Sequence, residues 1–410
     1  MHSRKVYLSI FFALLYFAIF FFKQQFTGPL YQDEIHYLPT AVEFSKEPIP
    51  SLSLLKGYNE LNTPIPFIFG GWVLKVFGEN IQFLRLLTLA FSYSILMIFI
   101  WCSTSQSNRL FLALAGLIAF PNFYLISVFY YTDVFAMFFV LAGTACYLKK
   151  SHLIGMLCFI AAVACRQYML AFPLAVAGYE VISNVLKLRS FKDISKQLFI
   201  NRIWIYYTIA VFSIIPWLVL WNGPAPAAVM ADQYYDSDKI VHYNFGFVLY
   251  ASVCLAVYYV LPEVILTKKW NYFFKYPAKR PVLFGVLCVI VITLVCFSPA
   301  MQAYNPYFTW PYLGYVDQLI ETIGISGLLK QIIFGVLMLI TLMRFVSYKF
   351  NLASFAVLIN TMLLGKAQLS WDKYSLPLIM VLWFILLFDS EWMFTREKKL
   401  AVSAEPPLVS

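Results

Sequence analysis

Long apolar runs separated by short polar segments recur along the whole chain. Uninterrupted runs of about 15 to 23 residues are typical of membrane-spanning helices, whereas a transmembrane barrel would show shorter segments of alternating polarity. The predicted spans are 6–22, 80–101, 110–128, 134–148, 153–166, 168–186, 203–221, 245–262, 282–298, 328–346, 351–367 and 375–388. The pattern predicts an all-α polytopic membrane protein of about twelve transmembrane helices, with 1–410 forming a single integral membrane domain.

Composition agrees with this pattern and excludes several other classes. The chain is 61% hydrophobic and only 12% charged, and its mean hydropathy is +0.75, too apolar for a soluble domain with a polar surface. The seven cysteines show no CxxC or Cys/His spacing, so neither disulfides nor zinc is indicated. The net charge of +10 lies in short loops between apolar runs. It therefore favours contact with anionic membrane lipids over nucleic acid.

The distribution of basic residues predicts the orientation. No small residues mark a cleavage site before Lys23, so the first run is predicted to remain as a helix. With the N-terminus inside, about two-thirds of the 30 basic residues fall on the cytoplasmic side. This orientation places segments 23–79, 222–244 and 299–327 outside and the tail 389–410 inside.

The first outer segment, 23–79, is too long for a simple connection. Within it, Thr63 provides a helix N-cap and Pro64 suits the first helical position. We expect a helix over 64–77 that lies in the outer membrane interface, because the segment is apolar but short.

The polar residues best suited to catalysis or ligand binding occur in the outer segments. Asp33, Glu34 and His36 follow the first apolar run directly, and acids beside a membrane span often have a function. The chain contains no P-loop, no GxGxxG and no GxSxG motif. An enzyme on the outer face would therefore take its activated substrate from the lipid phase, for which a polyprenyl phosphate sugar is suitable.

Several short motifs resemble a known family and occur in that family's order. They are Asp33-Glu34-Ile35 with His36, Phe129-Tyr130-Tyr131-Thr132-Asp133, Arg166-Gln167, Asn222-Gly223 with His242, and Asp372-Lys373-Tyr374-Ser375-Leu376-Pro377. This set resembles the GT-C glycosyltransferases, in particular the dolichyl-phosphate-glucose-dependent α-1,2-glucosyltransferases of lipid-linked oligosaccharide synthesis. His36 departs from the family pattern because it follows Ile35 directly, one residue early.

The chemistry of glycosyl transfer suggests roles for these residues. A carboxylate can accept the proton of the acceptor hydroxyl, so Asp33 is the first candidate for the base, with Glu34 as its support or its replacement. Arg166 is the first candidate for the donor phosphate because guanidinium binds phosphate bidentately, followed by Lys373, Lys366 and Arg85. The remaining substrate-binding candidates are His36, Tyr131, Asp133, Gln167, Asn222, His242, Asp372 and Tyr374. The resemblance implies a single inverting displacement that moves a hexose, with glucose as the first candidate, to a lipid-linked glycan.

Other interpretations remain open. Twelve helices would also suit a secondary transporter or lipid flippase, and a GT-C enzyme could instead modify protein or lipid A. No cofactor is required by the sequence, but a divalent metal held by Asp33, Glu34 and His36 is an alternative. Arg166 could reach lipid headgroups and Asp133 could cap a helix. The compact loops favour a bacterial plasma membrane over the endoplasmic reticulum.

Overall fold

The computed structural model describes residues 2–103, 107–185, 202–231, 243–297, 314–346, 351–367 and 371–388. Over these ranges the fold is helical throughout and contains no strand. The first ten helices are α1 (His2–Phe22), α2 (Glu34–Lys46), α3 (Leu52–Gly57), α4 (Ile65–Phe77), α5 (Ile81–Cys102), α6 (Ser107–Ile118), α7 (Pro121–Val128), α8 (Thr132–Leu148), α9 (His152–Val163) and α10 (Ala171–Val185).

The second half of the chain adds eleven helices within the described ranges. They are α11 (Ile203–Phe212), α12 (Ile215–Trp221), α13 (Ala227–Ala231), α14 (Phe245–Leu255), α15 (Leu261–Thr267), α16 (Asn271–Lys279), α17 (Pro281–Phe297), α18 (Tyr315–Thr322), α19 (Gly327–Phe345), α20 (Leu352–Leu364) and α21 (Leu376–Phe388). A π-helical turn, Ala256–Val260, joins α14 to α15, and 3₁₀ turns at Gln167–Leu170 and Asp372–Ser375 precede α10 and α21.

The protein is a multi-pass membrane protein, as the apolar pattern predicts. Among the described residues, six helical segments are long and apolar enough to cross a membrane, or up to eight if each of two bent pairs is one span. The six are 3–22, 81–102, 167–185, 203–221, 245–267 and 327–345. The predicted number of twelve spans is not confirmed, although the shorter apolar helices α4, α8, α9 and α20 are consistent with a larger total.

Proline explains two sharp bends between successive helices, one of which breaks a predicted single span. The predicted span 110–128 consists of α6 and α7, which meet at an angle of 72°, and Pro121 is the first residue of α7. Likewise α16 and α17 meet at 106°, with Pro281 opening α17. Proline lacks a backbone N–H and disfavours helix in the residue before it, so each helix ends ahead of it and a new one starts in another direction.

The outer-segment helix predicted over 64–77 is present as α4 and packs against α2. Two glycines allow this close approach. A Cβ on Gly71 would lie 2.7 Å from the backbone carbon of Phe44 in α2, and one on Gly70 would collide with the hydroxyl of Tyr130. Thr63 does not cap α4, because Pro64 occupies the N-cap position. The Thr63 hydroxyl instead donates to the carbonyl of Val163 at 2.9 Å. That bond ties α4 to the end of α9.

Helix α21 lies at the centre of the packed helices. All residues from Leu376 to Leu387 are buried, so protein surrounds this apolar helix on every face. It packs on α6, where Trp383 occupies space that a side chain at Gly116 would fill, and on α8. The 3₁₀ turn ahead of α21 is thereby brought to the N-terminal ends of α2 and α8.

Candidate active site

The loop before α2 is fixed by one arginine of α5. Arg85 donates Nε to Oε1 of Glu34 at 2.8 Å and Nη2 to Oε2 at 2.5 Å. Its other three donors reach the carbonyls of Phe26 and Gly28, both at 2.9 Å, and of Pro29 at 2.6 Å. All five guanidinium donors are therefore used, which leaves Arg85 none for a phosphate.

Glu34 is fully buried and its carboxylate is saturated with hydrogen bonds. Besides Arg85, the N–H of Tyr130 donates to Oε1 at 2.8 Å and that of Tyr31 donates to Oε2 at 2.9 Å. Four accepted bonds occupy the capacity of a carboxylate. Glu34 is thus the centre of a clamp that joins the first loop to α5 and to the start of α8.

Asp33 points in another direction and meets a distant part of the chain. Its side chain makes no cap for α2. Instead Oδ2 accepts from Nζ of Lys373 at 3.1 Å and from the hydroxyl of Tyr37 at 3.4 Å. The Asp33 side chain is 32% exposed, whereas Glu34, Asp133 and Asp372 are buried. Of these four acids, only Asp33 is open to solvent or substrate.

Arg166 and Asp133 form the buried side of the same network. Nη2 of Arg166 donates to Oδ2 of Asp133 at 2.9 Å, and Nε donates to the Thr132 hydroxyl at 3.0 Å. Oδ1 of Asp133 accepts from the hydroxyl of Tyr168 at 3.2 Å. Asp133 is in the first turn of α8, but its carboxylate pairs with Arg166 and caps nothing.

Lys373 joins the two carboxylates. Its Nζ lies 3.1 Å from Asp33 and 3.7 Å from Asp133, and its side chain is only 2% exposed. The ammonium group also lies over the rings of Trp371 at 4.2 Å and Tyr131 at 4.6 Å, a cation–π arrangement. Burial lowers the pKa of Lys373, but the two carboxylates outweigh that effect, and its pKa lies above the ordinary lysine value. Lys373 is therefore a buried cation.

Tyrosines complete the network. The Tyr37 hydroxyl, 3.3 Å from Nη2 of Arg166, bridges that guanidinium and Asp33. The Tyr131 hydroxyl donates to the amide oxygen of Gln32 at 2.8 Å. The ring of Tyr374 packs edge-on against Tyr168, with centroids 5.9 Å apart.

The structure thus brings together a charged network built from segments far apart in sequence. Of the residues predicted from sequence, Asp33, Asp133, Arg166 and Lys373 form the network, with Tyr131 and Tyr374 beside it. Gln167 lies next to Arg166 and donates its amide to the carbonyl of Leu61. This contact holds the loop before α4 against the site.

Asp372 has a different setting from its neighbour Lys373. Its carboxylate accepts from the hydroxyl of Tyr250 at 2.5 Å, from the thiol of Cys254 at 3.1 Å, and from the N–H of Tyr315. Burial raises the pKa of Asp372, and these donors partly offset the rise. The carboxylate joins α14 and α18 to the turn that carries Lys373.

The other predicted residues lie at the edge of this site or elsewhere. His36 is exposed in the first turn of α2, and Lys366 is exposed after α20. Asn222 adopts a left-handed conformation, φ 50° and ψ 37°, at the end of α12, a position that asparagine tolerates well. His242 lies outside the described residues, as do most of the predicted segment 299–327 and the tail 389–410. In the described ranges, no cluster of three or more His, Cys, Asp or Glu could hold a metal ion.

Two residues that the sequence did not single out face this network. Tyr37 bridges two of its charged groups, and Glu60 is a buried acid whose pKa responds to Asp33 and Arg166. The spacing of Asp33 and Tyr37 on one face of a helix could have indicated Tyr37. Glu60 lies in a loop with no recognisable motif, so no sequence signal marked it.

Comparison with protein families supports the resemblance that the motifs indicated. Residues 64–215 match the model of the DIE2/ALG10 family. This family comprises α-1,2-glucosyltransferases of the GT-C type that act in lipid-linked oligosaccharide synthesis, so the predicted resemblance is confirmed over this segment. No curated protein and no solved structure matches the chain.

The DIE2/ALG10 match includes one half of the charged network. Tyr131, Asp133, Arg166 and Gln167 lie within it, whereas Asp33 precedes it and Lys373 follows it. The match favours a glycosyltransferase over a transporter. It implies a lipid-linked sugar donor and a glycan acceptor within a membrane.

Proposed function

We propose that this protein is a polyprenyl-phosphate-sugar-dependent hexosyltransferase. In this proposal it transfers a hexose, with glucose as the first candidate, from the polyprenyl phosphate donor to a lipid-linked glycan on the outer or lumenal face of the membrane. The family match supports the reaction class and the lipid-borne substrates. The chemistry is assigned to the network of Asp33, Asp133, Arg166 and Lys373.

The observation that carries the proposal is the partly exposed carboxylate of Asp33 beside the buried cation of Lys373. A general base must reach the acceptor hydroxyl, and Asp33 has 32% of its side chain exposed. Glu34 is excluded from solvent and accepts four hydrogen bonds. These contacts favour Asp33 as the base and Glu34 as the residue that positions it.

Two cations within the network provide a setting for the donor phosphate. Arg166 and Lys373 each face Asp133, and Lys373 also faces Asp33. In the proposed cycle, Lys373 holds Asp33 while the site is empty and moves toward the phosphate when the donor binds. Asp33 is then released to accept a proton.

The transfer itself is a single displacement with inversion. The acceptor hydroxyl oxygen forms a bond to C1 of the hexose as the bond between C1 and the phosphate oxygen breaks. The electron pair of that bond stays on the phosphate, which Arg166 and Lys373 stabilise, and the hydroxyl proton passes to Asp33. Tyr374 is only partly buried and lies beside Lys373, so it is available to contact the sugars. Tyr131 is buried and supports Lys373 from the protein side.

The test is transfer by the protein in liposomes. Purified wild-type protein with a synthetic polyprenyl phosphate glucose and a short lipid-linked glycan should yield a glycan one hexose longer. Asp33→Asn should lower turnover by at least about a hundredfold, in line with the loss of a general base, while Glu79→Gln, at an exposed acid between α4 and α5, should retain wild-type turnover.

Two results would overturn the proposal. Full turnover by a folded Asp33→Asn protein would remove Asp33 as the base. Movement of a lipid or solute across the bilayer without any chemical change would favour the transporter alternative.

A further inference from the structure

The loop between α3 and α4 contains a buried acid that the proposed mechanism does not use. Glu60 is 6% exposed. Its Oε1 is shielded from solvent and has no hydrogen-bond partner within the described ranges. An ionised carboxylate in such a position would lose its hydration with little in return.

The loop around Glu60 is held by several hydrogen bonds. The hydroxyl of Tyr58 donates to the carbonyl of Asn62 at 2.7 Å, and the amide of Asn62 donates to the hydroxyl of Tyr37 at 3.1 Å. Thr63 is bonded to the end of α9, and the carbonyl of Leu61 accepts from Gln167. The residues that follow Glu60 are thus fixed to elements of the site, and Tyr58 ahead of it is bonded to the same loop.

Charged groups and hydroxyls from several segments act electrostatically on Glu60. Asp33 disfavours its ionisation, and Arg166 favours it less strongly than burial opposes it. The hydroxyls of Tyr37, Tyr58 and Tyr130 also lie within its electrostatic reach. Burial, followed by the charge of Asp33, raises the pKa of Glu60 to about 8.

We propose, resting on the function assigned above, that Glu60 is a positioning residue that works as a neutral carboxylic acid. When Glu60 is uncharged, Asp33 and Asp133 balance Arg166 and Lys373, and the two cations can bind a phosphate. When Glu60 ionises, it adds a negative charge within electrostatic reach of Arg166. The donor phosphate is then repelled, so this acid limits donor binding at alkaline pH.

The raised pKa of Glu60 sets the direction of the expected pH dependence of donor binding. Below a pH of about 8 Glu60 is protonated and donor binding is strong. As pH rises through that value, the acid ionises and binding weakens. By thermodynamic linkage, if bound phosphate raises the pKa of Glu60 by about one unit, the ionised form binds phosphate about tenfold more weakly.

The experiment measures the binding of polyprenyl monophosphate to the full-length protein in detergent, together with KM for polyprenyl phosphate glucose. Between about pH 7 and about pH 9.5, Kd and KM of the wild type should rise roughly five- to tenfold, with kcat changed less. Glu60→Gln, an uncharged isostere, should bind as the wild type does at pH 7 and lose this rise. Glu43→Gln, at an exposed acid of α2, should retain it.

The outcomes separate this inference from the proposed function. A rise in Kd that is the same in Glu60→Gln and wild type would overturn the inference, as would a folded Glu60→Gln protein that fails to bind at pH 7. Failure of the wild type to bind polyprenyl monophosphate would also overturn it. If the wild type transfers no sugar but its pH-dependent binding disappears in Glu60→Gln, the transferase assignment fails and the role of Glu60 stands.

Discussion

Replacing Glu34 by glutamine should lower the stability of the protein but leave most of its sugar transfer activity. Glutamine has the shape of glutamate, but its NH₂ group donates where the carboxylate accepts. One oxygen of the four-bond clamp is therefore lost, and a donor faces the guanidinium of Arg85. Arg85 is left as an uncompensated charge whose side chain is only 3% exposed.

The size of the effect follows from burial. Breaking a buried ion pair by removing one partner costs about 3–5 kcal/mol. Asp33→Asn should cost less than about 2 kcal/mol, because Asp33 is partly exposed and Lys373 retains Asp133 at 3.7 Å. The two adjacent acids should therefore respond oppositely, Glu34 mainly in stability and Asp33 mainly in turnover.

The assay pairs denaturant unfolding in detergent with transfer measured per folded molecule. Glu34→Gln should shift the unfolding midpoint strongly and retain most of its turnover at low temperature. The double variant Glu34→Gln/Arg85→Met removes both charges. Its loss of stability should be smaller than the summed losses of the two single variants by about 1–3 kcal/mol. Wild-type stability with loss of transfer in Glu34→Gln would refute this reasoning and make Glu34 the base.

Two further predictions test the packing and the phosphate site. Gly71→Ala should destabilise the protein by about 1–3 kcal/mol, because the new Cβ would overlap the backbone of Phe44. Gly57→Ala, where a Cβ meets open space, should unfold like the wild type. Equal unfolding midpoints for the two variants would contradict the close approach of α2 and α4. Lys373→Met should weaken binding of polyprenyl monophosphate at least about tenfold, the loss expected for one charge-assisted contact. Lys366→Met should have little effect on this binding. An equal loss of affinity in both variants would argue for nonspecific electrostatic attraction.

The sequence predicted the all-helical class and many of the helices, because apolar periodicity and helix-start signals are local, but the predicted number of twelve spans is not confirmed. Pro64 indicates a helix start from the sequence alone, and α4 begins at Ile65. The bend between α6 and α7 was missed although Pro121 was visible, because the apolar run continues through the bend. An apolar run shows that a segment is buried in protein or lipid but does not show its direction.

The sequence indicates which residues belong to the candidate network better than it indicates how they are arranged. Asp33 and Glu34 are neighbours, yet successive residues at a helix start are rotated by about 100°, so one faces Lys373 and the other faces Arg85. Neither partner lies near them in sequence. Such pairings depend on how the helices pack, which no local pattern contains.

The ion pair between Asp33 and Lys373 joins residues 340 positions apart. During synthesis Asp33 is made early, whereas Lys373 is made only after nearly all of the remaining chain. Under the proposed function sugar transfer needs both groups, so a chain truncated before Trp371 should transfer no sugar. The proposed activity therefore depends on synthesis of the chain through Lys373.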